Sequence, residues 1–243
     1  MTMMEFAGCA LTAYGPAFSL FVLTIIEDPI RIIILVISAF FWLLALLVSS
    51  LFWNFVAFRN VLPLSVVFSV LVQEVFRYCI YRLMKEAEYG LKKIRVPNTN
   101  MEILSNKQIV PYVAGLGYGV MSVSFSLGNI LAELTGPGTV GLKDPQPFFC
   151  LNSAVFAMMF TLLHTVWSIV FFYGVDTGKF SLVLWVVGSH LIVSCVTLVN
   201  SSGLQYVSLT ITFLFLIATA AIAFKVCRTA RTVETNTIEQ SHR

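Results

Sequence analysis

Charge is what this sequence has least of. Asp, Glu, Lys and Arg make up 11% of its 243 residues, where soluble domains carry about 25%. With a mean hydropathy of +0.88, its polar residues are too few to cover a water-soluble globule. A long polar segment is also lacking. The longest polar stretches are 85–107 and the tail from 225, and neither reaches the roughly 50 residues of a small domain. The five cysteines, at positions 9, 79, 150, 195 and 227, contain no C-x-x-C pair and no even framework. Neither a metal site nor a disulfide scaffold is expected, and no cofactor. The net charge of +3 looks mildly basic, but the basic residues mark topology first, so a nucleic-acid binder is excluded. Whatever the chain does, it does within or against the bilayer.

What is present is a series of seven apolar runs, at 3–26, 30–55, 61–84, 109–134, 148–173, 180–199 and 204–224. Each is long enough for a transmembrane helix, and the spacers hold charge, Pro or Gly. The expected fold is therefore all-α: one polytopic bundle of seven transmembrane helices over 1–224, then a short cytosolic tail over 225–243. Positive charge orients it. With the N-terminus lumenal or extracellular, 13 basic residues face the cytosol and only Arg59 and Lys143 face outward. The first run has no basic residue before it and is too long for a signal-peptide core, so a retained first helix is expected. The basic inner loop and tail suit anionic membrane lipid, although topology alone accounts for them. Cys227 lies just inside the inner surface, where palmitoylation occurs, with a plain thiol as the simpler reading. One sequon, Asn200-Ser201-Ser202, falls on the outer side in a tight loop.

Titratable side chains inside spans are costly and mark functional positions by default. Here they are Glu74 and Arg77 in span three, His164 in span five and His190 in span six, with Asn129 and Glu133 near the outer end of span four. At about 1.5 Å per residue, Glu74 lies about 20 Å down a roughly 30 Å core, and both histidines fall in its middle or inner half. If spans three, five and six are neighbours, one buried polar cluster holds all four. Glu74 and Arg77, three residues apart on one face, are able to pair. Snorkelling of Arg77 to the inner interface is the alternative. The structural reading of such a cluster is helix packing; the chemical reading is a proton relay or an intramembrane hydrolase.

Span four carries Gly115, Gly117 and Gly119 in the run GLGYG, continued by Ser122 and Ser126. Small residues four apart form a groove for a close helix, belonging either to the same chain or to a partner. Gly136, Pro137 and Gly138 read as a turn after the span, and Gly15-Pro16 as a kink in span one.

Taken in order, several stretches resemble the anterior-pharynx-defective family, the seven-span subunit of gamma-secretase. They are YGPAF (14–18), DPIRIIIL (28–35), AFFW (39–42), LVQEVFRY (71–78), GLGYG (115–119), NILAELTGPGTVG (129–141), LLHTVW (162–167) and VVGSHL (186–191). The resemblance implies a non-catalytic scaffold assembled with presenilin, nicastrin and the presenilin enhancer subunit. Presenilin then supplies the catalytic aspartates that cut type I membrane proteins such as Notch and the amyloid precursor protein. It also implies the endoplasmic reticulum, Golgi, plasma membrane and endosomes as locations. The family's assembly glycines map to Gly115 and Gly119, and its two membrane histidines to His164 and His190. A third small residue four positions further on is usual; this chain has Val123, with Ser122 beside it.

A fainter likeness is to CAAX-processing glutamic intramembrane proteases, whose motifs E-E-x-x-x-R, F-x-x-x-H and H-x-x-x-N overlay Val72, Gln73 and Arg77, then Phe160 and His164, then His190 and Ser194. Both motif glutamates are missing. Glu74 stands one position along, about 100° around the helix from Gln73. Such an enzyme needs a carboxylate to activate water, so a degenerate site reused as a structural core is the better reading of this alternative.

Overall fold

The computed structural model describes residues 3–55, 62–94, 108–135 and 149–241. Among the described residues, seven α-helices follow one another: α1 (Met3–Thr24), α2 (Pro29–Phe55), α3 (Leu62–Ile94), α4 (Ile109–Thr135), α5 (Phe149–Asp176), α6 (Phe180–Val196) and α7 (Gln205–Ser241). A 3-10 turn, Thr197–Ser202, extends α6, and with it all seven are long and apolar enough to cross a membrane. Each expected span is a helix, in order. Arg59, Arg95, Lys107, Lys143 and the turn at Gly136, Pro137 and Gly138 lie outside the described residues, as do the side chains of Asn129, Glu133, Ser201 and Ser202.

Two helices outrun their expected spans. α3 continues past Met84 to Ile94, and α7 past Phe224 to Ser241. Residues 225–241 contain no Gly or Pro, so nothing in the chain stops the helix where the apolar run stops. What was expected as a short tail is therefore helical as far as Ser241. At 37 residues, α7 is about 55 Å long, well beyond a roughly 30 Å core.

Local chemistry sets the turns. The Asp28 carboxylate accepts the Ile30 N–H at 3.0 Å, and Pro29 opens α2 at the position where a missing N–H costs nothing. Arg31 pairs with Asp28 at 3.2 Å, so DPIR is a helix start. Gly178 (φ 67°) and Gly203 (φ 79°) take the left-handed conformation that ends α5 and the 3-10 turn.

The bundle is arranged around α5, which packs on α1, α4, α6 and α7, while α2 packs on α3 and α4, and α3 also packs on α6. The main apolar core collects Trp167, Leu163, Tyr118, Leu116, Ile80 and Ile25 among others. A separate cluster holds Cys9 and Ala13 of α1, Val123, Leu127 and Leu131 of α4, and Ala154 and Ala157 of α5. At the other end of α5, Asp176 accepts from Tyr81 at 2.7 Å and pairs with Lys85 at 2.9 Å, tying α3 to α5.

One expectation is overturned. Cys9 and Cys150 are disulfide-bonded, with Cα atoms 6.4 Å apart. The two stand 141 residues apart in the chain, and only the packing of α1 along α5 brings them together, so spacing gave no sign of the pair. Cys79, Cys195 and Cys227 are free. Cys227 is half-buried and donates to Gln108 at 3.1 Å.

Candidate functional site

A charged side chain at membrane depth is tolerated only when its charge and donors are met. Arg77 meets that condition fully. Its Nε donates to both Glu74 oxygens, at 3.1 and 3.3 Å. Its Nη1 donates to Ser168 Oγ at 2.5 Å and to the His164 carbonyl at 3.3 Å. Its Nη2 donates to His164 Nδ1 at 3.0 Å. A guanidinium has donors and no acceptor, so His164 Nδ1 is the acceptor and the ring proton sits on Nε2. On the far side, His190 Nδ1 donates to Glu74 Oε1 at 2.6 Å. Arg77 is 1% exposed and Glu74 5%, so pairing, and not snorkelling, is the arrangement.

The four expected residues Glu74, Arg77, His164 and His190 are thus one cluster, and α3, α5 and α6 are its walls. An aromatic lining surrounds it. The His190 ring stacks on Trp167 at 4.5 Å, and the His164 and His190 rings meet edge to face at 5.1 Å. Trp167 Nε1 donates to Ser189 Oγ at 2.9 Å. Tyr118 lies beneath the Arg77 guanidinium, 5.0 Å from its ring centroid, and donates from its hydroxyl to the Gln73 carbonyl at 2.6 Å. Cation–π attraction of this kind strengthens when the pair is desolvated.

The glycine run is part of the same construction. A Cβ on Gly115 would stand 2.7 Å from Thr165 Cα and 2.8 Å from the His164 carbonyl oxygen. On Gly119 it would stand 2.8 Å from the Thr161 carbonyl oxygen and 3.1 Å from His164 Cβ. On Gly117 it would strike the Leu35 carbonyl of α2. Gly115 and Gly119 therefore press α4 onto the turn of α5 that carries His164, and Gly117 admits α2 from the other side. Within one run, three glycines and Tyr118 reach α5, α2 and α3. Of the two groove occupants left open by the sequence, the same chain is the one observed. Ser122 is half-buried. Val123, where a third small residue was expected, is 1% exposed and clusters with Ala154 and Ala157. Small residues on α5 there accommodate the larger one on α4.

Residues missed from the sequence are Ser168, Ser189, Trp167 and Tyr118. Ser168 stands four residues after His164, on its face of the helix, which was a usable signal. Serine and aromatics are otherwise too common in spans to stand out.

The arrangement holds helices together. Glu74 does face both histidine-bearing helices, while Gln73, at the hydrolase motif position, turns to Ser69 on its own helix at 3.4 Å. The Glu74 oxygens already accept from Arg77 and His190, so the carboxylate is engaged in the cluster instead of standing free to activate water. Nothing here supports the glutamic-protease alternative.

Comparison with known proteins bears on the same point. The family model described as Aph-1 protein matches residues 4–230. The chain is similar to the gamma-secretase subunit Aph-1 of Drosophila melanogaster, 46% identical over 226 residues that make up 93% of this chain and 94% of the fly protein. It is 41% identical to human gamma-secretase subunit APH-1B, across 83% of this chain and 80% of that one. An Arabidopsis thaliana protein named gamma-secretase subunit APH1-like is 31% identical, across 82% of this chain and 83% of its own length.

Proposed function

Since the chain belongs to the Aph-1 family, it is a scaffold subunit of gamma-secretase, and we propose that it serves as a non-catalytic frame for presenilin, nicastrin and the presenilin enhancer subunit. In this reading presenilin brings the catalytic aspartates, and the assembled complex cuts type I membrane proteins such as Notch and the amyloid precursor protein. It works in the endoplasmic reticulum, Golgi, plasma membrane and endosomes. The observation that carries the reading is the family match over residues 4–230.

The geometry supports it from a second direction. Glu74, Arg77, His164 and His190 are engaged with one another and with Ser168. Their role is to lock α3, α5 and α6 into one orientation, with Gly115, Gly117, Gly119 and Ser122 setting how closely α4 approaches. A frame of this kind offers partner helices and lipid the outward apolar faces of α1, α2 and α7, which expose Leu11, Phe18, Phe40, Phe213 and Leu214.

A tagged chain purified in mild detergent tests the proposal. Presenilin, nicastrin and the enhancer subunit are expected in near-equal amounts by mass spectrometry, and a folded chain recovered alone overturns it. The same folded chain, freed of presenilin, is expected to cleave no membrane substrate; cleavage abolished by Glu74→Gln would revive the hydrolase.

A further inference from the structure

Gly15 and Pro16 divide α1 into two halves that are held differently. Pro16 has no N–H, so the helix ladder lacks one bond there. On its inner side, Ala17 joins the main core with Leu20 and Phe21 against it. Thr24 is hydrogen-bonded to Tyr112 of α4 at 2.9 Å, and Arg31 donates to the Thr24 carbonyl. On the outer side the buried residues are Cys9 and Ala13, in the separate cluster with α4 and α5. Those two are small side chains, and Phe6, Ala10 and Tyr14 pack half-buried against the same cluster. This half is also joined covalently, by the bond from Cys9 to Cys150 at the start of α5.

We propose that Cys9 and Cys150 form a thiol–disulfide site through which an oxidising compartment fastens the outer half of α1 to α5. The oxidant is a small disulfide of the glutathione class. The S–H bonds of Cys9 and Cys150 and the oxidant's S–S bond break. The Sγ–Sγ bond forms, and the two hydrogens leave on the oxidant's sulfurs, giving two small thiols. Disulfides of this type persist in the lumen and outside the cell and are rare in the cytosol. The bond therefore places the start of α1 on the oxidising side, which agrees with the 13 basic residues assigned to the other side. Reduction releases the segment before Pro16 and leaves the inner half of α1 in place.

The full chain in native membranes is the material for the test, independently of which subunits co-purify. Free thiols are capped with N-ethylmaleimide, disulfides are reduced with a phosphine, and the newly freed thiols are tagged with maleimide-polyethylene glycol. Two tags are expected on the wild type, one each on Cys9 and Cys150, and none on Cys9→Ser or Cys150→Ser. A wild-type chain without tags after reduction overturns the site. Amide exchange of the wild-type complex, with and without reductant, tests the fastening independently of how any variant folds. Residues 3–14 are expected to exchange about tenfold faster after reduction while 17–24 stay unchanged. Equal exchange in both halves, before and after, overturns the release.

Discussion

Arg77 illustrates what one buried cation demands. Each of its nitrogens has a partner, contributed by α3 itself and by α5, because an unmet charge in a low-dielectric interior costs several kcal/mol. Arg77→Met should therefore leave Glu74 charged and deprived of its counter-ion, lowering stability by about 3–5 kcal/mol, read as the unfolding midpoint in detergent. Adding Glu74→Gln should recover part of that loss, since it removes the orphaned charge; a double variant as unstable as the sum of the singles would show that the two residues are not coupled. Tyr118→Phe removes only the hydroxyl bond to the Gln73 carbonyl, for which about 1 kcal/mol is expected in the same assay. The cluster's titratable members were legible in the sequence because so few such residues occur in the spans. Its serines and aromatics were not, since those side chains are ordinary in membrane helices and only their direction gives them a role.

Helices α4 and α5 lie close enough that backbone, and not side chain, faces the glycines. Gly115→Val and Gly119→Leu would drive a side chain into Thr165 Cα or the Thr161 carbonyl, atoms that move only if the helix moves. Overpacking of this kind costs about 1–3 kcal/mol or more, and both variants should lose monodisperse chain in size-exclusion chromatography. Gly128→Ala is the control: a Cβ there meets nothing within 4 Å, and its yield should match the wild type. If both glycine variants eluted normally and only complex assembly fell, the groove would instead serve a partner. G-x-x-x-G announced a close approach from the sequence, but two faces of one helix carry glycines, and which neighbour takes which face depends on the fold. Helix ends are less legible in the sequence than helix cores. Apolar length marks where the bilayer ends, while Gly, Pro and caps mark where a helix ends, and in α7 the two differ by 17 residues, from Phe224 to Ser241.

For the molecule as described, α5 is packed on by α1, α4, α6 and α7, and five of the stretches that carry the family resemblance meet at one place. Leu35, Arg77, Gly117, His164 and His190 come from DPIRIIIL, LVQEVFRY, GLGYG, LLHTVW and VVGSHL respectively, and each touches or is held by another of them. Orientation is tested at this scale. An epitope before Met3 is expected to bind antibody on intact cells, and one after Ser241 only after permeabilisation; the reverse pattern would place the Cys9–Cys150 bond in the reducing compartment and contradict both the charge bias and the disulfide. The number of spans, their order, the all-helical class and the membrane setting follow from the sequence by itself, because hydrophobic length and charge act locally and additively along the chain. The tertiary structure alone decided that Arg77 turns inward to His164 and Ser168, that Gly117 faces α2 while Gly115 and Gly119 face α5, and that Cys9 meets Cys150. Those outcomes depend on how helices far apart in sequence rotate and pack against one another, and no spacing within a single run encodes that.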